Sequence, residues 1–194
     1  MEFDSVIKKR HSVRSFTNKK VSWKIALDAI EAANQCPFAG NNNNLKFLII
    51  ENKETIKKIS ELAEQPWISK SNLLVVVCSD DRNLENLYGE RGRVYSRQQA
   101  GAAIQTILLK LASLDLSSCW VGSYTDTTFK KILNIPPHIQ IEAIIPIGYE
   151  DKSHPEKPRK KHLENVLYWE KWGDKKRPTS LRESYEVHKQ EKEE

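Results

Sequence analysis

Lys9-Arg10-His11-Ser12-Val13-Arg14-Ser15-Phe16 is the stretch on which the reading of this chain turns. Just before it, Phe3, Val6 and Ile7 recur at helical spacing, which predicts a short helix ending near Arg10. Beyond Arg10 the chain is expected to run extended, because Ser12 and Ser15 compete for backbone hydrogen bonds and Val13 favours β geometry. Side chains alternate along an extended segment, so Arg10, Ser12 and Arg14 fall on one face and Val13 on the other. Two guanidinium forks with a hydroxyl between them suit a phosphate or another planar anion. The same residues also read as a solvated basic turn after a helix.

The rest of the chain sets the frame for that stretch. At 194 residues it has the length of one domain with, at most, an appendage. Hydrophobic residues make up 39%, enough for a core, while 29% charged residues predict a heavily charged exterior. The formal charge of +5 favours anionic small ligands or acidic partners. The basic residues are spread along the sequence rather than massed in one block, so nucleic acid is not implied. Cys36, Cys78 and Cys119 are far apart and lie in or beside apolar runs, which predicts buried, reduced thiols. With no signal pattern and no apolar run of membrane-spanning length, the expectation is a soluble cytoplasmic protein, with no membrane partner.

Taken in order, Ser22 is placed to cap a helix over Trp23–Ala33, with Trp23, Ala26, Leu27, Ile30 and Ala33 as its apolar stripe. A polar loop, Gly40-Asn41-Asn42-Asn43-Asn44, leads into a short buried strand at Leu45–Ile50. Glu54–Glu64 has helical spacing, and Leu73–Cys78 reads as a second apolar strand. Asp80–Tyr95 lacks clear periodicity and reads as a loop or mobile cover. Gln98–Leu114 is apolar nearly all round, with Ala100, Gly101, Ala102 and Ala103 letting a backbone or flat ligand approach closely. Ser118–Ser123 and Ile141–Tyr149 complete four strands, with a helix capped by Asp126 between them. A basic loop at Lys152–Lys161 precedes a predicted short helix bearing Val166, Leu167, Trp169 and Trp172, and a charged tail follows.

Absent patterns narrow the chemistry. The seven glycines form neither a dinucleotide fingerprint nor a phosphate loop. No nucleophile elbow occurs, and none of the five histidines has a partner at metal-ligand spacing. No side chain stands out as catalytic and no metal site is predicted. A buried helix of small residues with several separated polar loops points to a cofactor as carrier of the chemistry.

Four motifs, in order, resemble the nitroreductase family of FMN-dependent oxidoreductases. The first is Arg10-His11-Ser12-Val13-Arg14-Ser15-Phe16. The second is Pro37-Phe38-Ala39-Gly40-Asn41-Asn42-Asn43-Asn44-Leu45-Lys46-Phe47, similar to that family's Pro-Ser-Ala-Gly-Asn-x-Gln-Pro-Trp-x-Phe loop. The third joins Gly101-Ala102-Ala103-Ile104-Gln105 with Ser118-Cys119-Trp120-Val121-Gly122-Ser123. The fourth joins Pro146-Ile147-Gly148-Tyr149 with Pro158-Arg159-Lys160-Lys161-His162-Leu163-Glu164.

The resemblance implies an α+β fold with a mixed central β-sheet flanked by helices, in an intertwined homodimer that shares two FMN sites. Residues 1–172 would form the FMN-binding domain, and 173–194 a charged arm able to wrap the partner subunit. It further implies that Arg10, His11, Ser12 and Arg14 hold the phosphate and one edge of the non-covalent FMN, with Arg159 and Lys161 completing the grip. Phe38 and Ala39 would line the site from the other subunit, and Asn41 and Asn43 would hydrogen-bond the flavin. Val121 and Gly122 would face the ring, and Gln65 would be a further contact. Two departures stand out: Phe38 replaces a common serine, and Gln99 replaces a frequent aspartate at the start of the buried helix. The activity implied is NAD(P)H oxidation with alternating, ping-pong reduction of a nitroaromatic, quinone or flavin. Tyr88, Arg91, Arg93 and Tyr95 are specificity candidates. Reductive dehalogenation or flavin fragmentation on the same scaffold is the alternative reading, and a non-enzymatic polyanion-binding protein is a more distant one.

Overall fold

Seven consecutive residues, Leu73–Ser79, are all buried, and the strand they form (β2) is the axis of the fold. Its side chains alternate between two apolar clusters, Leu73, Val75 and Val77 entering one and Leu74, Val76 and Cys78 the other. The computed structural model describes residues 2–151 and 161–176, and the chain divides into two units, Met1–Lys157 and Pro158–Glu194.

In the first unit β2 lies between β1 (Leu45–Ile50) and β4 (Gln140–Gly148), and β4 carries β3 (Ser117–Ser118) on its far side. The three ladders are antiparallel, and the parallel component of the sheet is a single bridge from Ser12 to Ser118. One apolar cluster is shared with α2 (Trp23–Ala33) and α5 (Glu90–Ser113). The other is shared with α3 (Lys53–Leu62) and α6 (Asp126–Ile132). The remaining helices are α1 (Phe3–Lys9) and α4 (Arg82–Tyr88). Local signals behave as their chemistry requires. The Ser22 hydroxyl accepts from the Lys24 N–H at the start of α2, Asn52 does the same for Thr55 in α3, and α1 stops at an extended Arg10.

Several elements differ from the sequence reading. Residues 80–95, expected as a loop, are α4 and the first turns of α5, which starts eight residues before Gln98. The face this helix pair buries carries Leu84, Gly92, Ser96 and Gln99, mostly small or polar, so apolar periodicity is silent there. A Cβ on Gly92 would lie 2.3 Å from the Leu84 carbonyl oxygen, so this helix contact requires glycine. In α2 the buried residues are Ala26, Ala29 and Ala33, while Trp23 and Leu27 are 45% and 46% exposed. Small residues let α2 lie close against α5; of the bulky members of the expected stripe, Ile30 packs against the core while Trp23 and Leu27 are turned outward. The strand expected at Ser118–Ser123 shortens to β3 plus one bridge between Val121 and Ile144. Thr125, not Asp126, stands at the cap of α6.

In the second unit the aromatic segment is not an α-helix. A 3-10 turn spans Leu163–Asn165, and Glu170 and Gly173 take left-handed backbone that a continuing helix excludes. The Trp169 N–H donates to the Asp174 carbonyl, and the Tyr168 and Trp172 rings lie 4.7 Å apart. Among the described residues, no helix is long and apolar enough to cross a membrane, and no group of side chains could hold a metal ion.

Candidate functional site

The basic stretch is fastened by its backbone. The Val13 N–H donates to the Ser118 carbonyl (3.1 Å), the Thr17 N–H to Tyr149 (2.8 Å), and the Asp151 N–H to Ser15 (2.9 Å). Val13 and Phe16 enter the core, while Ser12 and Arg10 stay half-buried and Arg14 exposed; the odd spacing from Val13 to Phe16 departs from strict alternation. The Phe16 ring lies on Gly148, where an added Cβ would come within 2.7 Å of it, and tilts against Trp67 at 6.3 Å.

His11 is bracketed by two acceptors, with Nδ1 2.9 Å from the Lys9 carbonyl and Nε2 3.0 Å from Glu150. The Lys9 carbonyl foremost, then Glu150, raises its pKa above the ordinary 6.5, against opposing burial and the Arg10 charge. Beside these groups lies a cavity of about 130 Å³ lined by His11 to Ser15, Glu150 and Asp151. It is the size of a phosphate group rather than of a flavin ring. The Glu150 carboxylate in its wall is engaged by His11.

The second site segment is fastened by side chains. Residues Ala39–Asn41 form a 3-10 turn in which Gly40 and Asn41 have φ of 57° and 55°. Gln99, buried on α5, accepts from the Ala39 N–H (3.1 Å) and donates to the Asn42 carbonyl (3.2 Å) and the Asn44 side chain. Asn44 in turn donates to the Asp80 carbonyl (3.1 Å) and to Ser96 Oγ (2.8 Å), and Ser96 donates to Asp81 (2.6 Å). Arg97 pairs with both Asp81 and Glu142 and donates to Ser79 Oγ. At the edge of this network the Arg82 guanidinium holds the Asp80 carboxyl down at about 2. The Tyr88 hydroxyl sits over Gly40, where a Cβ would approach it to 2.4 Å.

These positions sort the predicted residues into two sets. Arg10, His11, Ser12 and Arg14 lie together on the basic stretch. Val121 lies three residues beyond β3, bridged to Ile144, and the Gln65 amide donates to the Ser123 carbonyl (3.3 Å), placing Gln65 beside the Val121–Gly122 segment. Phe38, Ala39, Asn41 and Asn43 form the other set. Asn41 is exposed, whereas the Asn43 amide is occupied within the fold, accepting from the Leu45 N–H and donating to Asn34. The first set borders α5 at Leu108 and Ala112, the second at Gln99. Nine residues of α-helical rise separate Gln99 from Leu108, about 14 Å. Lys161 is exposed in the second unit. Arg159 and residues 177–194 of the charged arm lie outside the described residues. The sequence reading missed the network of Ser79, Asp81, Ser96, Arg97 and Glu142, and the part played by Asn44. The polar residues on the buried face of an otherwise apolar helix, Ser96 and Gln99, were the available signal.

The sequence model of the nitroreductase family matches residues 7–82 and 60–149. An iodotyrosine deiodinase of Thermotoga neapolitana is 27% identical, over 78% of this chain and 90% of the relative. An FMN reductase [NAD(P)H] of Bacillus subtilis is 26% identical, over 76% of this chain and 66% of the relative. A crystal structure of oxidised iodotyrosine deiodinase bound to FMN and 3-iodo-L-tyrosine superimposes with a TM-score of 0.72 at 22% identity, covering 84% of this chain and 97% of that one, a likeness of fold.

Proposed function

The chain belongs to the nitroreductase family, and from that premise we propose that it is an FMN-dependent NAD(P)H oxidoreductase that reduces a nitroaromatic, quinone or flavin acceptor by alternating turnover. One observation carries the reading: a backbone-fastened basic strand holds His11, Ser12 and Arg14 at a phosphate-sized cavity, with Arg10 next to them on the same stretch. Arg10, Ser12 and Arg14 fit the FMN phosphate, and protonated His11 adds positive charge to the same wall. Held there by Arg10, Ser12 and Arg14, FMN would supply the redox chemistry between NAD(P)H and the acceptor. The protein's part is to anchor one end, aim the Val121–Gly122 backbone at the ring, and exclude water.

Support for a homodimer comes from what one subunit leaves uncovered. Phe3 and Ile7 on α1, Trp23 and Leu27 on α2, and Trp120 beyond β3 are 42% to 67% exposed. Bulky apolar groups in this number favour a second apolar surface. The two sets of site residues, about 14 Å apart along α5, are then each completed by the opposite subunit's other set. Residues 173–194 are read as an arm over that partner.

The reading is tested on the purified protein, which should be yellow, release FMN on denaturation, and scatter light as a dimer. Parallel double-reciprocal plots for NAD(P)H at several quinone concentrations are expected, and intersecting lines would replace alternation with a ternary complex. Truncation after Trp172 should lower both FMN content and dimer stability. The similarity to iodotyrosine deiodinase favours dehalogenation as the second reading. Reductive release of iodide from 3-iodo-L-tyrosine faster than quinone reduction would move the assignment there.

A further inference from the structure

Basic residues that look dispersed in the sequence are collected by the fold at one concavity. Lys20 follows the basic strand, Lys53 and Lys57 belong to the first turns of α3, and Lys70 ends the 3-10 turn Pro66–Lys70. Together they wall a cavity of about 440 Å³ whose remaining lining is Asn18, Ile56, Ser69, Ser71 and Asn72, without a carboxylate. We propose that this cavity binds the phosphate groups of a small polyphosphate, such as those of a nucleotide. None of its residues belongs to the site described above, and the proposal does not depend on flavin binding.

Four cations facing one concavity repel each other and focus a positive field, an arrangement offset by a resident anion. Among the described residues Lys20, Lys53 and Lys70 make no ion pair, and Lys57 has only Glu61 at 4.0 Å on the open surface. Such an exposed pair contributes little. Lys53 also occupies the first position of α3, the positive end of the helix dipole, where a lysine is unfavourable and Glu54 is the one acidic residue of the first turn. The Thr55 and Ile56 N–H groups are taken by Asn52, while those of Lys53 and Glu54 have no partner within the helix.

The wall is also rigid. Asn72 accepts from the Val21 N–H (3.0 Å) and donates to the Lys19 carbonyl (2.8 Å), clamping the backbone on both sides of Lys20. The Ser69 and Ser71 hydroxyls donate to carbonyls of their own turn, at 2.7 Å each. The volume falls within the range of small-ligand pockets. A nucleic-acid strand calls instead for an extended basic groove.

Isothermal titration of the flavin-loaded protein with inorganic triphosphate tests the site. Saturable binding of one triphosphate per chain is expected, weakened at least tenfold in Lys53→Gln/Lys57→Gln/Lys70→Gln. Triphosphate should raise the melting temperature of the parent protein but not of this variant. Two arms distinguish the source of the phosphates. A raised KM for NADPH with an unchanged KM for NADH identifies the dinucleotide's own phosphate. Unchanged KM values with triphosphate binding lost identify a separate nucleotide. Absence of saturable binding by the parent protein overturns the proposal, as does equal affinity in the variant. A single-stranded oligonucleotide that binds without competition from triphosphate also overturns it, in favour of an extended surface.

Discussion

The basic strand at residues 10–16 and the asparagine loop at 38–44 both border α5, yet they are held by different means. The strand hangs on three main-chain hydrogen bonds, so its backbone path survives almost any change of side chain that keeps Val13 and Phe16 in the core. The loop hangs on side chains: Gln99 alone satisfies the Ala39 N–H and the Asn42 carbonyl, and Tyr88 lies across Gly40. A segment held by its backbone can expose charge for a ligand at little cost to folding. A segment held by buried polar side chains is coupled to every residue in the network, because each partner lost leaves a buried group unsatisfied.

The sharpest way to break this contrast is at the base of the loop's support. Gly92→Ala places a methyl group against the Leu84 carbonyl, and neither backbone can yield without parting α4 from α5. The gain in helix propensity, about 1 kcal/mol, is smaller than the expected overpacking loss of about 3 kcal/mol. A melting temperature lower by several degrees in calorimetry is the expected result. An unchanged value would mean that the α4–α5 contact does not support the loop.

Next come paired substitutions that separate binding from folding. Arg10→Ala and Arg14→Ala should each weaken FMN affinity by about 1.5–3 kcal/mol, the scale of a charge-assisted hydrogen bond, and leave the stability of the flavin-free protein within about 0.5 kcal/mol. Gln99→Ala should do the reverse in proportion. It should lower stability by about 1–3 kcal/mol through unsatisfied groups, with a smaller loss of FMN affinity. Fluorescence titration and urea unfolding read the two quantities separately. If Gln99→Ala and Arg14→Ala show the same ratio of the two effects, the distinction between the segments fails.

The same contrast explains what could be read before the fold was known. The strands at Leu73–Ser79 and Gln140–Gly148 announce themselves because burial on both faces demands an apolar run, and the edge strand Leu45–Ile50 carries one although only its ends are fully buried. The basic stretch was legible in part: alternation along an extended backbone is a local rule that sets buried Val13 against exposed Arg14, whereas the burial of Phe16, three residues on from Val13, departs from it. The α4–α5 junction was not legible, since it is built from Gly92, Ser96 and Gln99 rather than from an apolar stripe. The outward turn of Trp23 and Leu27 was hidden because a stripe that mixes two alanines with bulky residues does not say whether its small or large members face the core. The lysine cavity was invisible because its four charges come from three separate segments spread between Lys20 and Lys70 and meet only in the fold.

The smallest expected effect tests whether the strand's side-chain tie from His11 to Glu150 matters. His11 has its pKa raised, chiefly by the Lys9 carbonyl and then by Glu150. A raised pKa means that the folded state holds the proton more tightly than the unfolded state. The stabilisation is therefore fully present below the ordinary value of 6.5 and is lost as pH rises through the raised one. Neutral His11 can still donate Nδ1–H to the Lys9 carbonyl, but its bare Nε2 then faces the Glu150 carboxylate, so the Glu150 half of the bracket is what disappears. His11 and Glu150 retain 25% and 19% side-chain exposure, so solvent screening limits the pair to about 0.5–1 kcal/mol. His11→Gln should accordingly differ from the parent in urea-unfolding stability most at acid pH, and the two curves should converge above neutrality. FMN affinity of the parent should decline over the same interval, because the charge lost borders the cavity assigned to the phosphate. A stability difference that grows with pH would reverse the sign of the coupling. It would make His11 a neutral hydrogen-bond donor to the strand, and leave Arg10 and Arg14 as the charges that attract the ligand.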